Sequence, residues 1–214
     1  KTGCLVWRMG PDYSDPKYSH LGWIIGQHHA HLIPKGLPGE GNILLFDNGG
    51  WAGYGNPHEC SRTGAKSARR DHSRILEINP VTLDLVWQYS LSDFGNPFPA
   101  NAHHFYSSLI SSVQRLPNGN TLVCEGHEGR LFELTVHHEI VWEYLNPHFG
   151  ENGPMTYRAY RLPYEWIPQL DRPQETAVAP VDNTKFRVPG AASDEILSTL
   201  TIEGTEDYPA FPQT

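Results

Sequence analysis

Two stretches of the chain spell one pattern. Residues 73–89, SRILEINPVTLDLVWQY, and residues 129–144, GRLFELTVHHEIVWEY, carry Arg, apolar, acid, apolar, turn, apolar, Trp, acid or amide, and Tyr in the same order. Short alternating runs around a central turn read as a β-hairpin, and a repeat of this length makes the two copies fold alike. The closing strand of that hairpin recurs alone at residues 2–8, TGCLVWR, so the same Trp stands at Trp7, Trp87 and Trp142.

A second repeat precedes each hairpin: GNILLFDNG at residues 41–49 and GNTLVCEG at residues 119–126, each behind a Pro turn and an apolar strand. One unit is then strand, Gly-Asn turn, strand, loop, strand with Glu, turn, strand with Trp. Four antiparallel strands per unit make a propeller blade. Trp87 and Trp142 stand 55 residues apart, near the roughly 40 to 50 of known blades. Trp7 and Trp87 stand 80 apart, and the loop over residues 50–72 accounts for the excess. The 20 Gly and 18 Pro fall between short apolar runs, as many strands joined by tight turns require. The expected class is all-β, with four-stranded antiparallel β-propeller blades over residues 1–168. Residues 169–214 form an extended Pro-rich tail packing on the propeller or a partner, anchored by Phe186, Val188, Leu197, Leu200 and Phe211.

Charge and cysteines narrow the function. Acids outnumber bases 24 to 16, a net charge of -8, which argues against a nucleic acid partner because phosphate binding needs Lys and Arg in excess. The one basic cluster, Arg62, Lys66, Arg69 and Arg70, reads as a solvated loop. Cys4, Cys60 and Cys124 allow at most one bridge and no CxxC metal spacing. No run of eighteen apolar residues suggests a membrane span, and the first residues already sit in a strand-like run, as in a mature or cut product.

Blade geometry selects the residues that carry chemistry, because the innermost strand of each blade lines a shared central channel. Three such strands are expected: near residues 27–32 within QHHAHL, at residues 104–113 (HFYSSLISSV), and at residues 155–162 (MTYRAYRL). Their polar residues are His28, His29, Ser107, Ser111, Tyr157 and Arg158.

The runs QHHAHL, GNILLFDNG, SRILEI, VWQY, FYSSLISSVQRLPNGNTLVCEG, GRLFEL, IVWEYLNP and YRAYRLPYEW, from Thr2 to about Pro168, resemble the bacterial arylsulfotransferase family. The resemblance implies a six-bladed propeller of the periplasm or cell surface. It further implies sulfuryl transfer from a phenolic sulfate ester to a phenol, with no nucleotide sulfate donor and no cofactor. The family's catalytic QH histidine, just before the FDNG strand, falls on His28. Other catalytic histidines and an arginine of the family belong to upstream blades that this sequence does not contain. Imidazole chemistry suits this role, since a neutral ring attacks sulfur or moves protons near neutral pH. Arg158 and Tyr157 are then expected as oxyanion partners, and Ser107 and Ser111 either as channel lining or as ordinary strand hydroxyls.

Plainer roles are expected elsewhere. His29 and His31 hydrogen bond between blades, Asp47 and Asn48 form a turn, and Arg74 and Arg130 brace blade contacts. Two other functions stay open from the sequence. His28, His29, His103, His104, His137 and His138 could serve a metal-binding propeller, although adjacent strand residues point to opposite faces. A non-catalytic propeller serving as a binding or assembly module is the other. Strand counting gives the last strand of one blade at residues 3–9, two full blades over residues 26–144, and one inner strand at residues 155–162. About half of a six-bladed ring is present, so a second chain or further copies are expected to supply the missing blades.

Overall fold

The structure, a computed structural model, describes residues 3–5, 7–9, 15–57, 59–90, 105–172 and 174. Within Lys1–Trp166, one compact unit, the strands are β1 (His28–Leu32), β2 (Ile43–Asp47), β3 (Arg74–Ile78), β4 (Leu85–Ser90), β5 (Ser112–Arg115), β6 (Thr121–Glu125), β7 (Arg130–Leu134) and β8 (Ile140–Leu145). They form two four-stranded antiparallel sheets, β1-β2-β3-β4 and β5-β6-β7-β8. Helix is confined among the described residues to 3-10 turns at Ser19–Leu21 and Tyr164–Trp166. The fold is all-β and built of propeller blades.

The sequence repeat is a structural repeat down to its irregularities. Glu77 lies opposite Trp87 and the register slips before Ile78; Glu133 lies opposite Trp142 and the register slips before Leu134. The Gly-Asn turns work alike too, because the Asn42 and Asn120 side-chain amides donate to Glu77 and Glu133 respectively.

Strand alternation then builds the core. Leu44, Phe46, Ile75 and Tyr89 of the first blade meet Phe105, Val113, Val123, Phe132 and Leu134 of the second. Leu45, Leu76 and Ile78 point the other way, under Tyr18, Leu21 and Ile24. A sheet covered on both faces needs continuous apolar runs, which is why β2 reads ILLF rather than alternating. β8 has no such cover among the described residues and is exposed along its length.

The repeated Glu and Trp join each blade to the chain segment that packs beside it. Arg115, on β5, places Nη2 2.6 Å from Glu77 Oε2 and its guanidinium 5.7 Å from the Trp87 ring centre. Arg161 does the same one unit later, pairing with Glu133 and lying 5.4 Å over Trp142. A guanidinium between a carboxylate and an indole face is held by charge-assisted hydrogen bonding and by the ring quadrupole together.

Three expectations are corrected. Residues 3–5 and 7–9 form no strand, as an isolated last strand with no neighbouring strand to ladder against does not persist. Residues 155–162 are not a strand either. They run beside β5 through side chains instead: the Ser112 hydroxyl accepts from Ala159 N, and the Gln114 amide both accepts from Arg161 N and donates to its carbonyl. The strand expected over residues 104–113 begins only at Ser112, because Ile110 and Ser111 take left-handed backbone conformations (φ 54° and 90°) that end the ladder.

The second unit is Ile167–Thr214, of which 167–172 and 174 are described, with one turn from Leu170 N to the Ile167 carbonyl. The remaining tail anchors, and His103 and His104, lie outside the described residues.

Candidate functional site

β1, β3, β5 and β7 begin, and β2 and β6 end, at one end of the two sheets. A carboxylate closes each blade there. Asp47, at the end of β2, accepts from Arg74 Nη2 at 2.6 Å and from the Ile25 backbone N–H at 2.8 Å. Glu125, at the end of β6, pairs with Arg130 at 3.3 Å and accepts from the Tyr106 N–H at 2.8 Å. Arg74 and Arg130 thus brace strand to strand inside a blade. Burial pushes the Glu125 carboxyl upward, against the pull of Arg130. Asp47 is fully buried, so its role goes beyond the turn expected of it.

After Asp47 the two units part: the first inserts Asn48 before its glycine, where the second goes straight to Gly126. Asn48 is fully buried. Its Nδ2 donates to the carbonyls of Ser107 at 2.7 Å and Ile110 at 2.8 Å. Two carbonyl acceptors fix the amide, so Oδ1 must face the other way, toward Nδ1 of His28 at 2.8 Å. The Gly26 carbonyl lies 3.0 Å from the same nitrogen. Two acceptors around Nδ1 place the proton of the neutral ring on Nδ1 and leave the lone pair on Nε2. Asn48 is the residue that sequence reasoning passed over as a turn former. Its signal was present in the one extra residue that breaks the repeat.

The glycines after Asn48 let two loops close over this hub. Gly49 has φ 77°, and a Cβ on Gly50 would lie 1.8 Å from the Ser108 carbonyl oxygen. Ser73 completes the joint, its hydroxyl donating to the Asn48 carbonyl at 2.8 Å and accepting from Ser107 N at 2.9 Å.

Ser107 and Ser111 are both buried, and their hydroxyls are engaged. Ser111 Oγ donates to Ser107 Oγ at 2.9 Å, and the two accept from Gly126 N and His127 N at 3.0 Å each. They hold the β6–β7 turn against the loop that carries Asn48's acceptors.

His29 stands in a bulge of β1 with φ 52°. Its Nδ1 accepts from the Val113 N–H of the second blade at 3.2 Å, which puts the ring proton on Nε2, 3.0 Å from Tyr160 Oη. Burial, then the neighbouring His31 and Arg158, lower its pKa to about 4. His31 contacts the His29 carbonyl through Nδ1 at 2.8 Å. Arg158 donates to Tyr160 Oη at 3.2 Å and lies 5.5 Å over the Tyr157 ring; both Arg158 and Tyr157 are exposed. No carboxylate pairs with Arg158 among the described residues.

His28 is therefore joined to Ser107 through Asn48, and Tyr157 to Ser111 through a backbone bond of 3.3 Å. Arg158 is joined to His29 through Tyr160. Among the described residues no hydrogen bond runs directly from His28 to Ser107, Ser111, Tyr157 or Arg158. No three His, Cys, Asp or Glu side chains among them come together in a group able to hold a metal ion. Nor is any helix there long and apolar enough to cross a membrane.

The family model Arylsulfotransferase (ASST) matches residues 13–150. The chain belongs to the arylsulfotransferase family. Nothing among curated proteins or solved structures matches it. The arylsulfotransferase match takes in His28, Asn48, Ser107 and Ser111 and ends before Tyr157 and Arg158, a narrower span than the resemblance in wording suggested.

Proposed function

We propose that the chain transfers a sulfuryl group from a phenolic sulfate ester to a phenol, with His28 as the group that carries it. The observation behind this reading is the fixed ring of His28: Asn48 and the Gly26 carbonyl hold the Nδ1 proton, and the Nε2 lone pair is left for attack. In the first step Nε2 bonds to the ester sulfur and the S–O bond to the aryl oxygen breaks, releasing phenolate. In the second an acceptor phenol gives its proton, through solvent, to the released phenolate, and its oxygen takes the sulfuryl group from Nε2, restoring the ring. Arg158, Tyr157 and the Ser107–Ser111 loop supply charge and position for the sulfate oxygens in this scheme. No nucleotide donor enters, which suits the periplasmic or extracellular location we assign to the protein.

Ring closure by a second chain or further copies belongs to the same reading. Tyr89 of β4 is 1% exposed under Phe105, Phe132 and His138, while Tyr144, its counterpart on β8, is 43% exposed. An apolar blade flank left open in this way favours a further blade against it. The test of function is release of phenol from a chromogenic aryl sulfate in the presence of an acceptor phenol and the absence of nucleotide. His28→Ala should abolish it, and undiminished turnover would clear His28.

A further inference from the structure

The run VQRLP at residues 113–117 returns as AYRLP at residues 159–163, and the two segments are placed alike. Arg115 sits between Glu77 and Trp87 of the first blade, and Arg161 between Glu133 and Trp142 of the second. The Val113 N–H is held by a side chain of the preceding inner strand, His29, and the Ala159 N–H is held by Ser112 in the same way. Every other residue of 157–161 faces the second blade. The Tyr157 carbonyl accepts from Ser111 N, Ala159 exchanges bonds with the Ser112 hydroxyl, and Arg161 does so with the Gln114 amide. Contacts two residues apart on one side are the period of an extended strand. The backbone N–H and C=O groups of Arg158 and Tyr160 therefore point to the opposite side, where they meet no hydrogen-bond partner among the described residues.

In the second blade the matching side is taken. β5 pairs there with β6, Ser112 opposite Cys124 and Gln114 opposite Leu122, while the Val113 N–H is turned to His29. We infer that residues 158–161 are an open strand edge that receives one extended apolar strand of a further polypeptide, antiparallel, with Arg158 and Tyr160 as the bonded positions. Main-chain bonding to an unpaired edge is the chemistry of strand addition, and the side chains of the added strand give it selectivity. The character of the occupant follows from the two strands already in that place. β2 (ILLFD) and β6 (TLVCE) each follow Gly-Asn, and every residue of the two is buried except Ile43, which is half-buried. Both lie between two strands of their own sheets, so a second copy of the chain has neither to lend. The inference rests on the ring-closure reading given above and deepens it, from a flank that favours cover to a particular edge, register and kind of strand.

The probe is a capped peptide of residues 119–126, GNTLVCEG, kept reduced and added to the full chain, with amide hydrogen exchange followed residue by residue. Exchange at Arg158 and Tyr160 should slow by about tenfold or more, and exchange at Ala159 and Arg161, already bonded, should stay as it was. N-methylation of the peptide at Leu122 or Cys124 removes a donor to this edge and should weaken binding by about tenfold. N-methylation at Val123, whose N–H faces away, should change it little. These changes are made in the peptide and leave the folding of the chain untouched. The inference is overturned by unchanged exchange at Arg158 and Tyr160, by equal protection from a scrambled peptide, or by equal loss at all three methylated positions. It is also overturned by concentration-dependent protection of the same two amides in the chain alone, which would show the edge paired with a second copy. The readout needs no assembled ring: a monomeric chain that protects the two amides contradicts closure by copies and supports the edge, whereas an assembled chain that leaves them fast with peptide contradicts the edge alone.

Discussion

The side-chain oxygen of Asn48 lies 2.8 Å from Nδ1 of His28, and the Asn48 amide is itself locked by the carbonyls of Ser107 and Ile110 in the second blade. The nitrogen that His28 presents is thus set by a contact between blades. A residue that reads in sequence as part of a turn decides the tautomer of the histidine twenty positions before it.

Asn48→Ala should lower turnover by about 10²-fold or more, the range expected when a catalytic imidazole loses its positioning. The fall should appear mainly in kcat rather than KM, because Asn48 touches His28 and not the substrate in this scheme. Ring nitrogen-15 shifts give the independent readout: the native chain should show His28 protonated at Nδ1, and the variant a mixture of tautomers.

The Glu77–Arg115 pair is buried on both sides, with side-chain exposures of 5% and 7%, whereas in the equivalent Glu133–Arg161 pair Arg161 is 44% exposed. Arg115→Ala should destabilise the chain by about 3–5 kcal/mol, since it strands a buried carboxylate. Arg161→Ala should cost less, because the equally buried Glu133 keeps its hydrogen bonds from Asn118 and Asn120 and loses a partner that is itself half in solvent. Chemical denaturation of the two variants measures the contrast, and equal losses would show that the repeat does not join blades in the way described.

Gly50→Ala probes the closure of the loops over Asn48. The added Cβ would meet the Ser108 backbone oxygen at 1.8 Å, a contact that only movement of the loop relieves. Since the same loop supplies Asn48's two acceptors, the substitution should reduce activity together with thermal stability. Gly53→Ala, where the space is open but φ is 73°, should cost only backbone strain of about 1 kcal/mol.

His29 contributes to the pH dependence of stability. Its pKa is lowered from 6.5 to about 4 in the fold, first by burial, so the unfolded chain binds the extra proton in that interval. The His29 contribution is full above about pH 6.5 and declines as pH falls toward about 4, by on the order of 2 kcal/mol after solvent screening of the half-exposed ring is allowed for. Protonation also removes the lone pair that accepts the Val113 N–H, which joins the two blades. Unfolding midpoints measured between pH 7 and pH 4 should fall for the native chain and stay flatter for His29→Gln.

The blades were legible because their signals are local and repeated: the Glu–Trp register, the Gly-Asn turns and the apolar runs each recur with the same partners. The hairpins and Gly-Asn strands fall where the pattern puts them. Residues 105–111 and 155–162 were not legible as loop and extended chain, because alternation in a short run does not reveal left-handed residues such as Ile110 and Ser111. Nor does it reveal a segment that pairs through Ser112 and Gln114 side chains. The site was half legible. His28 stands out by its place before FDNG, but Asn48 acts across a sequence separation of 59 residues to Ser107, and periodicity carries no information about contacts at that range.

The most direct test is to trap the group on His28. The native chain is mixed with an aryl sulfate in the absence of acceptor, quenched at alkaline pH, which preserves a nitrogen–sulfur bond, and digested for peptide mass spectrometry. The expected result is one added sulfuryl group on the peptide bearing His28, removed when phenol is supplied and never formed in His28→Ala. Phenol release from the native chain with no adduct on that peptide, or an adduct on another residue, would contradict it.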